Sequence, residues 1–559
     1  MKRWLIGLAT SFVPLMALGQ DTTSTTLPDI APHEVEIRGT LEVSLPSLQR
    51  RPFVGDNPPV QVPEVTRDTP PFIAEYKPAA FELSRTALER PDPPSFVSTA
   101  KPPAQFLIGA FGGYYLNRGV NTRLTIPVSE SMQIFTHGMY RGSYGHIPPF
   151  DETGTFRSEF DTAEFQGGLR ASGGWWKADI QASGYYDSFA LFGRKSLPTA
   201  PQRDITGLSG RMTVGTLGES LIQSQVSLEG TSTRFWTRHK DLTSTYLNEG
   251  QIAVNADIRY DVGGGDLWLE GMLSQAQRQQ AIRTSTTFSI GGGLDVQASR
   301  MAGFTFGVIG IGIRNDVGPG EDGAFQTVVP VVRIQFRPAR RFVMYAGSHP
   351  QTNANSAAET FRMNPYLKAH PDLRPSLMPV NVEYGLAWYV GHAQLSVRGG
   401  RQEASQFLYY TIDDNGLPAA SYDEVEIVYG GASFSYVILE GLHFIVRGSR
   451  RTGRLGGTDA SIPYLAPITV ESVVSYTFAR ERGYLQLRGY YEGRHTIDLP
   501  SGAPEVGRYI DVDVSVTYHF TPLIGMLLRI ENIGQSDNSL WHGYPGPPRV
   551  VGVGLQVRW

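Results

Sequence analysis

Cysteine is absent from all 559 residues. That absence excludes disulfide staples, thiolate metal sites, a cysteine nucleophile and the cysteine-borne anchor of a lipoprotein. Beyond the N-terminus there is no apolar run of about 18 residues, so no transmembrane helix is expected. Neither charge sign dominates: 49 Lys and Arg stand against 53 Asp and Glu, which gives no reason to expect nucleic acid as a partner. The histidines are scattered, with no His-Glu-x-x-His and no metal-ligand spacing. No nucleophile is marked by a base and an orienting acid. The chain is therefore expected not to be an enzyme, with no catalytic residue, no metal ligand and no cofactor. Asp413-Asp414-Asn415-Gly416 lacks the rest of a calcium loop and reads as a turn between strands.

What the chain does have is glycine, 62 residues of it, and an aromatic content of 11%, a pairing that suits a curved sheet with aromatic girdles. The last eleven residues show the pattern most clearly. Val551, Val553, Leu555, Val557 and Trp559 share one face, and Gly552, Gly554, Gln556 and Arg558 share the other. One face is continuously apolar and the other small or polar, with an aromatic at the end. This is the form of an outer-membrane strand with lipid outside, and these five residues are the candidate barrel-closing signal.

Residues 1–19 read as a secretory signal, with Lys2 and Arg3 before an apolar stretch and small residues around Gly19. Residues 20–103 are proline-rich, with pairs at Pro58-Pro59, Pro70-Pro71, Pro93-Pro94 and Pro102-Pro103, a composition that favours extended or irregular chain. Within them Val35, Ile37, Leu41, Val43 and Leu45 alternate with polar residues over 33–45. That amphipathic strand is a candidate for docking a periplasmic partner by sheet addition, or for packing inside a barrel or into a local hairpin.

From residue 104 the chain becomes a series of amphipathic strands, about 22 of them, from 105–116 to 549–559. Short turns follow the even strands and most long loops follow the odd ones, as a barrel with both ends in the periplasm requires. The expected fold is all-β: a transmembrane antiparallel barrel of about 22 strands over 104–559, preceded by a proline-rich periplasmic extension. Glu383, Glu471, Asp511 and Asp513 fall on the polar sides of their strands and are candidates to line or brace the lumen. Gly291-Gly292-Gly293 and the glycines from Gly307 to Gly312 lie inside strand patterns, where they relieve curvature or admit aromatic neighbours. Arg234 to Lys240 reads as a basic, aromatic outer loop.

Two stretches resemble a known family. Arg529-Ile530-Glu531-Asn532-Ile533, Trp541 to Arg549 and the final strand are similar to the C-terminus of TonB-dependent receptors. Asn364-Pro365-Tyr366-Leu367, His370-Pro371-Asp372-Leu373-Arg374-Pro375 and Asn381 to Leu386 resemble that family's outer-loop motif and the strand after it. The resemblance marks Asn364, Pro365, Leu367, Pro371, Asp372, Leu373, Arg374 and Pro375 as motif residues. It implies a bacterial outer-membrane barrel that takes up a solute. The family opens on a longer plug domain than residues 20–103 supply, so the plug is read as reduced or missing. Val35-Glu36-Ile37-Arg38 is similar to the short strand by which such receptors engage TonB. The expected partners are outer-membrane lipids and either TonB or another periplasmic or outer-membrane protein. Two functions follow: uptake across the outer membrane, or a plugless barrel acting as scaffold of an outer-membrane complex through residues 33–45.

Overall fold

In the computed structural model the described residues are 105–113, 116–147, 156–190, 202–216, 221–238, 245–278, 284–316, 322–369, 371–413, 417–458, 460–497, 505–534, 539–542, 544–545 and 549–559. The signal, the proline-rich region and the 33–45 strand expected from sequence lie outside them.

Strands dominate, and they fall in the chain in this order: β1 Gln105–Gly113, β2 Arg118–Ser129, β3 Met132–Ile147, β4 Phe156–Ser172, β5 Trp176–Ala190, β6 Gln202–Thr216, β7 Ile222–Arg238 and β8 Thr245–Asp261. Then come β9 Gly265–Arg278, β10 Thr284–Ser299, β11 Ala302–Asp316, β12 Asp322–Ala339, β13 Phe342–Ser348, β14 Ser376–Val390, β15 Ala393–Ile412 and β16 Pro418–Leu439. The series ends with β17 Leu442–Leu455, β18 Ile468–Phe478, β19 Gly483–Glu492, β20 Tyr509–His519, β21 Ile524–Glu531 and β22 Val550–Arg558. One sheet holds 23 strands, but Gln351–Asn353 only continues β13 along β14, so the ring itself has 22.

Each strand pairs antiparallel with its sequence neighbours, and β22 pairs back onto β1 with Ile108 opposite Val557 and Ala110 opposite Leu555. Phe106 and Trp559 complete that seam by exchanging two backbone hydrogen bonds of 2.7 Å. Closure leaves the ring without an edge strand, so its backbone groups are satisfied where no water can reach them.

The ring has a short-turn end and a long-loop end. Two-residue turns such as Gly391-His392 and Glu440-Gly441 join even strands to odd ones. Gly391 and Gly441 sit there at positive φ, +55° and +83°, where a side chain is strained. At the other end the strands run further than their alternation suggests. The ladder of β15 and β16 extends to Ile412 opposite Pro418, right up to the turn read at Asp413 to Gly416. A bulge between Ala404 and Phe407, with Gln406 at φ +55°, breaks the alternation and hides that extension. Arg234 to Arg238 are likewise strand, not loop: they form the end of β7, with Phe235 turned inward and Trp236 outward. At 22 residues, β16 would rise about 55 Å at a typical barrel tilt, more than twice the usual apolar band, so its upper part stands clear of lipid.

Candidate functional site: the wall and the in-folded mouth

The exterior is apolar on successive strands. Val551, Val553, Leu555 and Val557 point outward and are exposed, while Gly552, Gly554 and Gln556 point inward. Trp559, 83% exposed, caps the series. Outward aromatics gather in two bands. Near the short turns lie Trp388, Tyr436, Tyr476, Phe478, Tyr518 and Phe520. Toward the long loops lie Tyr186, Trp236 and Tyr246. A closed ring with a greasy waist and an aromatic girdle at each margin has lipid for its solvent.

The interior is polar, and the four carboxylates singled out from sequence are all engaged by the wall. Glu383 accepts hydrogen bonds from the Tyr345 hydroxyl at 3.0 Å and the Tyr429 hydroxyl at 2.9 Å, with Arg398 at 3.8 Å. Glu471 joins Arg447 at 3.2 Å and Arg488 at 3.3 Å. Asp511 accepts from the Tyr509 hydroxyl at 3.3 Å, and Asp513 from the Asn532 amide at 3.1 Å. Glu383, Glu471 and Asp513 thus tie neighbouring strands together, whereas the Asp511 bond stays within β20. Glycines make room for the rings that reach them: Tyr345 lies over Gly385, Tyr429 over Gly400, and Trp268 over Gly293 and Gly307. A Cβ at Gly307 would collide with Trp268, which is why the glycine run of β10 and β11 lies where it does. Across the seam, Glu531 of β21 pairs with Arg529 beside it and with Arg141 of β3.

The long-loop end is filled by its own loops. Residues 354–369 and 371–375 enter the mouth behind helix α1, Ala357–Met363, whose N-cap Ser356 accepts a hydrogen bond from the Glu359 amide at 3.2 Å. The motif residues follow. Asn364 ends the helix, its amide bonded to the Thr360 carbonyl at 2.8 Å and its side chain accepting from the Tyr366 amide at 3.1 Å. Leu367, Leu373 and Asn364 are fully buried, and Pro371 and Pro375 are buried beside them. Asp372 and Arg374 pair at 2.6 Å on a more exposed flank, and Pro365 is half-buried.

Three wall residues that the sequence reading missed hold this loop. Arg203 of β6 donates from Nη1 to the carbonyls of Pro365 and Leu367, both at 2.6 Å. Arg278 of β9 donates to the carbonyls of Leu373 at 3.0 Å and Asn355 at 3.3 Å, and pairs with Glu249 of β8 at 2.6 Å. The other oxygen of Glu249 accepts from the Ala357 amide at 2.7 Å, at the positive end of α1. In sequence each is one more inward charge in an alternating strand. Only the Ser-x-x-Glu at Ser356 and Glu359 was there to announce the helix.

Around the loop is one apolar cluster. It takes Ile205, Phe235 and Leu247 from β6–β8, Tyr410 and Ile412 from β15, Tyr509 from β20, and Tyr464, Trp541 and Tyr544 from other loops. Phe361 stacks on Phe235 with centroids 4.4 Å apart, Tyr366 on Tyr544 at 3.8 Å, and Tyr464 meets Trp541 at 4.7 Å. Burial pushes the pKa of the Tyr464 hydroxyl upward. Since β8 and β20 stand nearly opposite in a ring of 22, a cluster holding Leu247 and Tyr509 together spans the lumen. Among the described residues, no group of three or more His, Cys, Asp or Glu side chains is placed to hold a metal ion.

No known family profile matches the chain. No curated protein matches it in sequence. Solved structures do match in fold. The FrpB iron transporter from Neisseria meningitidis (F3-3 variant) superposes with a TM-score of 0.65 at 10% identity, covering 82% of each chain. The copper transporter OprC gives 0.62 at 9% identity, over 82% of this chain and 80% of its own. A variant of the ferric enterobactin receptor PfeA from Pseudomonas aeruginosa gives 0.60 at 10%, over 82% and 81%. In fold, then, the chain is a closed 22-stranded antiparallel β-barrel of the kind these two transporters and this receptor share.

Proposed function

We propose that the chain takes up a solute across the bacterial outer membrane through this barrel. The observation that carries the reading is the closed ring of 22 strands with a lipid-facing exterior and a charged interior, in the fold of proteins named as iron and copper transporters and a ferric enterobactin receptor. A ring of that count is too wide for its own side chains to fill, so it suits passage through a guarded lumen better than a solid scaffold. The usual asymmetry of such barrels puts the long loops outside and the short turns in the periplasm. On that orientation β1 starts on the periplasmic side, where residues 20–103 would meet TonB or another partner.

The test is accumulation of labelled iron chelates and copper by cells with and without the chain, paired with gentle extraction and identification of what co-purifies. Loss of accumulation of one solute, restored by the intact chain, supports uptake. Unchanged accumulation of every solute, together with a stoichiometric partner lost on deleting residues 33–45, would replace uptake with the scaffold reading.

A further inference from the structure

We infer that the loop of residues 354–369 and 371–375 is a resident gate: a loop-borne barrier seated in the mouth of the barrel and latched to its wall by Arg203, Glu249 and Arg278. Three observations carry this. The loop lies within the ring and not above it, because its buried leucines and Phe361 pack on inward side chains of β6, β7 and β8. Its cluster reaches across to β15 and β20, so it bridges the opening and does not merely line one side. Its attachment is polar and concentrated. Two wall arginines reach four loop carbonyls, and one carboxylate joins Arg278 to the first amide of α1. An apolar seat alone would resist release everywhere. A seat fixed by charged hydrogen bonds at a few points is held firmly when intact and weakened greatly when one partner is drawn away, since the charge left behind is buried. Passage from the long-loop side would then require this loop to leave its seat, whatever residues 20–103 do at the other end.

The absence of cysteine makes a direct test clean. The full-length chain, displayed on intact cells, carries Ser433→Cys as a reporter. Ser433 is an inward residue in the short-turn half of β16, bonded to Ser396 at 2.6 Å. The probe is a maleimide polymer too bulky for porins. We expect slow labelling in the otherwise native chain. With Arg203→Ala and Arg278→Ala the rate should rise by roughly a hundredfold, the factor that about 3 kcal/mol confers on an opening equilibrium. In the arginine variant without the reporter thiol, Phe235→Cys and Phe361→Cys bridged by a short bismaleimide should return its planar-bilayer conductance to the native level, because those rings stack 4.4 Å apart only when the loop is seated. Fast labelling of Ser433→Cys in the native background, or no change on removing the arginines from a chain that still runs as a heat-modifiable barrel, overturns the gate. If the arginine variants fail to assemble, the bridge in the native chain decides. Failure of Phe235→Cys and Phe361→Cys to couple overturns the seating, and efficient coupling supports it. Thr458→Cys, exposed in another long loop, separates this from the uptake reading. If it does not label from outside, the proposed orientation fails, and the same bridge is then scored on purified protein.

Discussion

The two ends of this barrel are built on different principles. At the short-turn end each connection is settled by its own residues: Gly391 and Gly441 take positive φ, and Val390 meets Ala393 and Leu439 meets Leu442 directly across them. At the long-loop end the connections are settled by residues far away. Arg203 binds carbonyls in a loop 162 residues further on, and Glu249 holds an amide 108 residues on. Local turns set the direction of the chain and carry little else. The mouth assembles a second core, with aromatic stacking and a buried ion pair, inside a ring already closed by backbone pairing. Stability at one end is spread over many small terms, and at the other it is concentrated in a few large ones.

Substitutions can break or sharpen that contrast. The largest effect is expected from Glu249→Ala, which leaves Arg278 buried and unpaired and should cost the seated mouth about 3–5 kcal/mol. Hydrogen exchange should then rise in residues 354–375 while the amides of β1 and β22 stay protected. Equal loss in both places would show that the mouth and the ring are one unit. Next, Leu555→Arg puts a charge on the lipid face of β22 and should cost about 2–4 kcal/mol near the midplane, measured by urea titration of folding into vesicles, with no selective release of the mouth. At the turns, Gly441→Ala meets both a positive φ and the Thr477 carbonyl, for roughly 1–2 kcal/mol. Gly391→Ala, with open space around it, should cost less in the same titration. The smallest effect is expected from Ser356→Ala, which removes the N-cap of α1 for about 1 kcal/mol and should show as faster proteolysis within 354–375 alone.

Much of the fold was legible because it is periodic. Val551 to Val557 alternate with Gly552 to Gln556, and the structure turns the first set to lipid and the second to the lumen. The count of strands, the all-β class and the alternation of short and long connections follow from the same period of two. Where local order lapses the reading lapsed with it. The bulge at Gln406 shifts the alternation and hides the far ends of β15 and β16, and Arg234 to Arg238 read as loop because charges interrupt the pattern above the lipid. The motif from Asn364 to Pro375 was visible as a pattern, but not the place it occupies.

By itself, then, the sequence determined the barrel, because membrane strands must alternate at every position and each repeat shows it locally. It could not determine the mouth. Arg203, Glu249 and Arg278 are indistinguishable in sequence from Arg211, Glu229 and Arg259, which also turn inward but pair within the wall. What separates the two sets is whether a loop from elsewhere reaches them. Only closing the ring, which brings β6–β9 within reach of the chain between β13 and β14, decides that.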